Sequence, residues 1–323
     1  MARWERIKPP STAAMPGVSF PASALNAAGS VVLFSGQRRG LSAGLWLFRG
    51  GEFVELPATG PSWPAARTQA SLTGVGSLES GERTLYLFGG YAVNVGAVGD
   101  LWELVVLDEE SSRWRQLECD VPPPPRYGHS SVEFHGGVAI FGGQDDERQF
   151  SDVWTFSPAP QSWAEVATSG GGPSPRTRHS ATMLDEDNML VVGGFSRNDR
   201  YLNDAHLLNL KAGVWSALPL AGAPLAGIAQ HAAAARDGRV FLFGGFDGTR
   251  NRNDLIVIDV NDKRVHLLNC QNPPEPRSRI SAHFLDSKLY VFGGFDGGKP
   301  HGGDVFSIDC SDPSAMAADD AQA

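Results

Sequence analysis

Val138-Ala139-Ile140-Phe141-Gly142-Gly143, followed by Asp152-Val153-Trp154 and then by Trp163-Ala164-Glu165-Val166, is the stretch that decides the fold. Four apolar residues, rich in β-branched and aromatic side chains, run into a glycine doublet. So short a run of such residues reads as a buried strand rather than a helix. The doublet lets the backbone turn sharply, or approach a neighbour, where a Cβ would clash. The acid with its apolar followers opens a third strand. The aromatic residue with an aliphatic one three positions on marks a fourth. His129-Ser130-Ser131-Val132, ahead of the apolar run, is the first.

The unit recurs. Doublets stand at Gly89-Gly90, Gly142-Gly143, Gly193-Gly194, Gly244-Gly245 and Gly293-Gly294, with a degenerate Ser35-Gly36 before them. Counted from the second glycine the intervals are 54, 53, 51, 51 and 49 residues. A period near fifty is one supersecondary unit copied. The strand-three acids are Asp100, Asp152, Asp204, Asp254 and Asp304, and the first unit has Gly44 instead. The strand-four pairs are Phe53/Leu56, Trp114/Leu117, Trp163/Val166, Trp215/Leu218 and Val265/Leu268. The last unit lacks its fourth strand, but Trp4-Glu5-Arg6-Ile7 carries the same spacing. The expectation is an all-β, six-bladed β-propeller of four-stranded blades over residues 1–310, its N-terminal strand closing the last blade and removing open sheet edges. Residues 311–323, small and polar, read as a disordered tail.

The doublet, the acid before strand three and the strand-four Trp together resemble Kelch repeats, over roughly residues 3 to 310. One doublet alone is a weak signal, whereas registered copies with three linked features are a strong one. The resemblance implies a stand-alone propeller that recognises a protein partner on its loop face, as an adaptor or scaffold.

Composition narrows the classes. Hydrophobic residues make up 41% of the 323, enough for a packed interior, and the 38 glycines and 22 prolines fall mostly at doublets and linkers such as Pro122-Pro123-Pro124-Pro125. A formal net charge of −9 argues against general nucleic-acid binding, which needs a basic footprint. Cys119, Cys270 and Cys310 lie in different units without metal-like spacing and read as free thiols of a reducing compartment. No segment reads as a signal peptide or a membrane span. The expectation is a soluble monomer of the cytoplasm or nucleus, with no membrane or nucleic-acid partner, no cofactor and no metal.

Two sets of residues are candidates for partner contact. At the start of strand one the units carry Gly17, Arg67, Arg126, Arg176, Ile228 and Arg277; two positions on they carry Ser19, Gln69, Gly128, Arg178, Gln230 and Arg279. The innermost strands should put these at the rim of the central channel. Guanidinium groups there suit an acidic peptide or a terminal carboxylate. The first set has a second reading: each Arg pairs with the acid before strand three or bonds nearby carbonyls. Because Ile228 interrupts it, an electropositive rim should lean toward units two to four and six. The other candidates lie in the strand two-to-three loops, where Arg200, Tyr201, Arg250 and Arg252 have interface chemistry. Phe195, Phe246 and Phe295 read as packing against the next unit.

His129, His179 and His231 share one repeat position, also filled by Phe20, Ala70 and Ile280, and read as packing rather than as a metal site. Enzymatic relatives of the resembled family supply the alternative: an iron-dependent lyase-like or mutarotase-like propeller, or a small-molecule binder, acting in the channel. The Glu-x-x-x-Asp-x-x-x-His spacing of the iron-dependent specifier proteins is absent from the chain. The cysteines lie outside the innermost strands, against a copper enzyme with a Tyr–Cys cross-link. No catalytic residues are assigned.

Overall fold

A computed structural model describes residues 2–8, 21–37, 41–57, 62–76, 83–106, 111–301 and 303–311. Gly17, Ser19, Phe20, Arg38, Arg39 and the tail beyond Ser311 lie outside the described residues. Every regular element among the described residues is a strand. No helix is long and apolar enough to cross a membrane.

The repeated apolar runs become the second strands of six sheets. The first sheet holds Ala22–Leu25, Val31–Gln37, Leu41–Arg49 and Glu52–Leu56. The second holds Ser71–Val75, Thr84–Phe88, Leu101–Val106 and Ser112–Leu117. The third holds Ser130–Phe134, Gly137–Phe141, Val153–Pro158 and Gln161–Glu165. The fourth and fifth begin with Ser180–Met183 and Ala232–Arg236 and run outward to Val214–Ala217 and Arg264–Leu268. These two carry a short fifth strand that the repeat did not announce. Ser169–Gly170 and Ala221–Gly222 run parallel to the outer strands of the fourth and fifth sheets.

The sixth sheet is completed from the other end of the chain. Trp4–Ile7 pairs antiparallel with Val305–Asp309 in the register Trp4 to Ile308. Packing confirms that it fills the strand-four slot. In the second, third and fourth sheets the strand-four Trp stacks under a Phe of the preceding sheet: Trp114 on Phe34, Trp163 on Phe88 and Trp215 on Phe141, with centroids 5.0 to 5.1 Å apart. Trp4 meets Phe243 in the same way at 4.9 Å. Each such pair is worth about 0.5–1.5 kcal/mol beyond its buried area.

The core is divided rather than central. Buried clusters fill each interface between consecutive sheets, and one of them joins Val31, Leu33 and Phe48 of the first sheet to Phe292 and Val305 of the sixth. The first strands neighbour one another in chain order, and that of the sixth sheet lies near that of the first. Within each sheet, the second glycine of the doublet lets the chain entering strand one pass close against it. At Gly143, with φ at +90°, a Cβ would lie 2.8 Å from His129 Cβ and 2.9 Å from its backbone nitrogen. The degenerate Ser35-Gly36 gives a register shift between Phe34 and Gly36 instead, and the strand continues through it.

Candidate functional site

Arg126 and Arg176 are wholly buried, and Arg67 and Arg277 are 1% exposed. Expected among the partner-binding residues, these four belong to the framework behind the rim. Arg176 shows the pattern. Its Nη1 donates to Gly193 O at 2.9 Å and Asp204 Oδ1 at 2.7 Å, its Nη2 to Asp204 Oδ2 at 2.7 Å, and its Nε to Ser174 O at 3.1 Å. Arg126 repeats this with Asp152, Gly142 O and Pro124 O. Arg67 does so with Asp100, Gly89 O and Ala65 O. A ring nitrogen two residues after each acid completes the clamp: Trp102 Nε1 donates to Asp100, Trp154 Nε1 to Asp152, and His206 Nε2 lies 3.0 Å from Asp204. A planar guanidinium matches a carboxylate in this two-pronged way, as an ammonium cannot. Burial pushes the Asp100, Asp152 and Asp204 carboxyls up, but the guanidiniums more than reverse it and hold all three below the usual carboxylate range.

The fifth and sixth sheets depart from the clamp. Ile228 stands where the Arg would be, and Asp254 is met from the loop side by Arg252, through Nε at 2.7 Å and Nη2 at 2.6 Å. Arg252 also lies 3.3 Å from Asp247. It is therefore a replacement clamp rather than a free loop cation. In the sixth sheet Arg277 keeps its bond to Gly293 O but is 3.5 Å from Asp304, which Arg6 approaches to 2.6 Å.

The rim is built from the next-but-one position. Backbone N–H groups link it into a chain: Gly128 donates to Gln69 O, Arg178 to Gly128 O, Gln230 to Arg178 O and Arg279 to Gln230 O. All five residues have φ between +57° and +66°. That left-handed conformation turns their side chains away from the clamp layer, and Gly128 is the one member whose type announces it. Arg178 Nε donates to Gln69 Oε1 at 2.9 Å. Arg279 lies over the Phe295 ring at 4.5 Å, a cation–π contact. Burial lowers the pKa of both guanidiniums, and the charge of Arg178 lowers that of Arg279 further. Two cations thus share the mouth of a cavity of about 130 Å³. They belong to the fourth and sixth sheets, on either side of Gln230 of the fifth.

Around the mouth lies an aromatic shelf. Tyr201 sits between Phe195 and Phe246, at 5.4 and 5.6 Å, and Tyr91 meets Tyr127 at 5.3 Å. The packing expected of Phe195 and Phe246 therefore runs through Tyr201. Arg200 is exposed on the short hairpin that presents Tyr201, and Arg250 is exposed at 73% of its side chain. Tyr127 and the exposed Val93 and Val95 were not singled out from sequence. The two valines lie in the long loop between Gly90 and Asp100, whose length was a signal for them; Tyr127, beside the rim glycine, had none.

The three histidines are structural. Their Nε2 atoms each lie 2.8 Å from a serine Oγ of the preceding sheet: His129 on Ser71, His179 on Ser130 and His231 on Ser180. Burial pulls His129 down to about 3 and His231 to about 4, with His179 also well below its ordinary value. They are neutral at physiological pH.

Comparison with known proteins agrees with this geometry. The KLHDC2/KLHL20/DRC7 Kelch-repeats domain matches residues 23–245 and, in an overlapping register, 77–294. Adagio-like protein 3 of Oryza sativa subsp. japonica is 33% identical over 168 residues, covering 50% of this chain and 26% of the rice protein. Adagio protein 3 of Arabidopsis thaliana is 28% identical over 201 residues, 59% of this chain and 32% of its own length. Tip elongation aberrant protein 1 of Schizosaccharomyces pombe is 33% identical over 182 residues, 54% of this chain and 16% of the yeast protein. The chain thus spans a third or less of each of these relatives. With glycine doublets, Arg–Asp clamps and strand-four tryptophans recurring sheet after sheet, the chain belongs to the Kelch-repeat family.

Proposed function

We propose that residues 1–310 form one closed, six-bladed propeller that recognises a protein partner through an acidic segment or a terminal carboxylate. The reading rests on one observation above the others. Arg178 and Arg279 are the rim residues that depart from the repeat toward positive charge, and both face the same small cavity at the channel mouth. An anion placed between these two guanidiniums is drawn by both charges at once. The shelf of Tyr127, Tyr201 and Phe246 offers apolar area for the residues next to that anion, with Arg200 and Arg250 further out. The protein acts by binding rather than by chemistry: the neutral, serine-bonded histidines at the cavity are poor general bases.

The test is a fluorescence-polarisation screen of synthetic acidic peptides with free and with amidated C-termini. Wild type is compared with the Arg178→Ala/Arg279→Ala and Tyr201→Ala/Arg250→Ala variants. The reading expects binding that the rim variant abolishes and the loop variant weakens. Retained binding in the rim variant refutes it. Binding of inorganic phosphate that needs the rim but not the loop, with no peptide bound, replaces it with a small-anion site.

A further inference from the structure

The sixth sheet departs from the repeat at two positions that meet in space. Val98, Phe150, Leu202, Arg252 and His301 are equivalent, because each donates its backbone N–H to the second glycine of its own sheet's doublet. The preceding sheets place an apolar residue or the replacement arginine there. Glu275 is likewise the acidic counterpart of Ala65, Pro124 and Ser174, the residues whose carbonyls accept from the clamp Nε.

His301, with 7% of its side chain exposed, is held between two carboxylates. Nδ1 lies 3.2 Å from Asp304 Oδ2 and Nε2 lies 2.8 Å from Asp296 Oδ2. The other Asp296 oxygen already accepts from the Gly298 and Lys299 N–H groups at 2.7 and 2.8 Å. The Nε2 contact is a hydrogen bond, whereas Nδ1 lies near Asp304 without the alignment of one. The Glu275 carboxylate also converges, with one ligand atom each from Glu275, Asp296 and His301 lying within 4.8 Å of one another.

The geometry points to a site for a zinc-class divalent cation, held by His301 Nε2 and the Asp296 and Glu275 carboxylates, with water completing the coordination. One imidazole and two carboxylates suit such an ion. Asp304 Oδ2, 3.2 Å from Nδ1, is placed to become the outer support, accepting from Nδ1 once Nε2 turns its lone pair to the metal. Arg6 and Arg277 are directed at Asp304. A cavity of about 480 Å³ lined by Glu275, Lys299 and His301 gives access. Binding requires His301 Nε2 and Asp296 Oδ2 to part to about 3.3 Å, for metal bonds of about 2.0–2.1 Å.

Cobalt(II) alone is the probe. Chelator-treated protein is titrated with it and followed by visible absorption, and thermal midpoints are measured with and without zinc. The site predicts one equivalent of strongly absorbing cobalt, displaced by zinc, and a midpoint raised by zinc. His301→Ala and Glu275→Gln remove both effects, and Asp304→Asn weakens zinc roughly 10–100-fold. Glu275 is exposed, so its variant carries the test if His301→Ala fails to fold. Absent cobalt absorption with midpoints indifferent to zinc overturns the site and leaves His301 as a hydrogen-bonding partner of Asp296. Unchanged binding in Glu275→Gln places the metal elsewhere and overturns it equally.

Discussion

Arg176 and Arg178 are separated by one residue and serve different layers of the molecule. Arg176 turns into the fourth sheet, is fully buried and spends its donors on Asp204, Gly193 and Ser174. Arg178, at φ +57°, turns to the channel mouth and reaches Gln69 across the rim. The difference teaches that a position's place in the repeat, and the backbone conformation it imposes, decides whether an arginine is framework or surface. Residue type alone does not.

The contrast is open to measurement. Arg176→Ala should cost about 3–5 kcal/mol in denaturant unfolding, because it leaves Asp204 and a glycine carbonyl without their buried donor. A loss under 1 kcal/mol would erase the distinction between layers. Acid should act first through the buried histidines lining the cavity, and only then through the clamps. His129 at about 3 and His231 at about 4 sit below the ordinary value of 6.5, so the unfolded chain takes up protons first. Stability should fall as pH drops from about 6.5, by roughly 1 kcal/mol per pH unit for each such histidine. The depressed clamp aspartates add their loss only below about pH 4, through their unfolded values and down to their folded ones. Unfolding curves at pH 7, 5.5 and 4 check the order, and a flat response from 6.5 to 5 contradicts it.

Arg252→Ala probes the intermediate case. Its pair with Asp254, each side chain about a quarter exposed, should be worth about 1 kcal/mol, well short of the clamps built on wholly buried arginines. Smallest of all, Arg178→Ala and Arg279→Ala should each shift stability by no more than about 0.5 kcal/mol, since removing one relieves the repulsion felt by the other. A rim substitution as damaging as Arg176→Ala would make the rim part of the framework.

The period of the doublets carried the sheet order into the sequence, and the Trp4-x-x-Ile7 spacing placed the first strand in the last sheet before any contact was known. The acids before strand three were legible as architecture, and the buried clamps bear out that reading of them. What stayed ambiguous was which arginines the acids hold. Both arginine positions recur with the same phase, and the sense of rotation between them depends on five left-handed residues, four of which are glutamine or arginine. Gly128 was the available clue. Arg252 was misread for a related reason: its role follows from the absence of an arginine at Ile228, a compensation visible only when loop and linker are seen side by side. The His301 cluster joins residues from a linker and a loop, and no local spacing announces it.

The pairing of Trp4–Ile7 with Val305–Asp309 sets a schedule for synthesis. Trp4–Ile7 is made long before it can dock, because its partner emerges some 300 residues later. At roughly 5–20 residues per second, its apolar Trp4 waits through tens of seconds of translation. During that interval the sixth sheet does not exist and the fifth lacks a cover for Phe243. Substitutions that slow or misplace the last fifty residues should therefore betray themselves as aggregation of nascent chains, before any defect in the finished protein is felt.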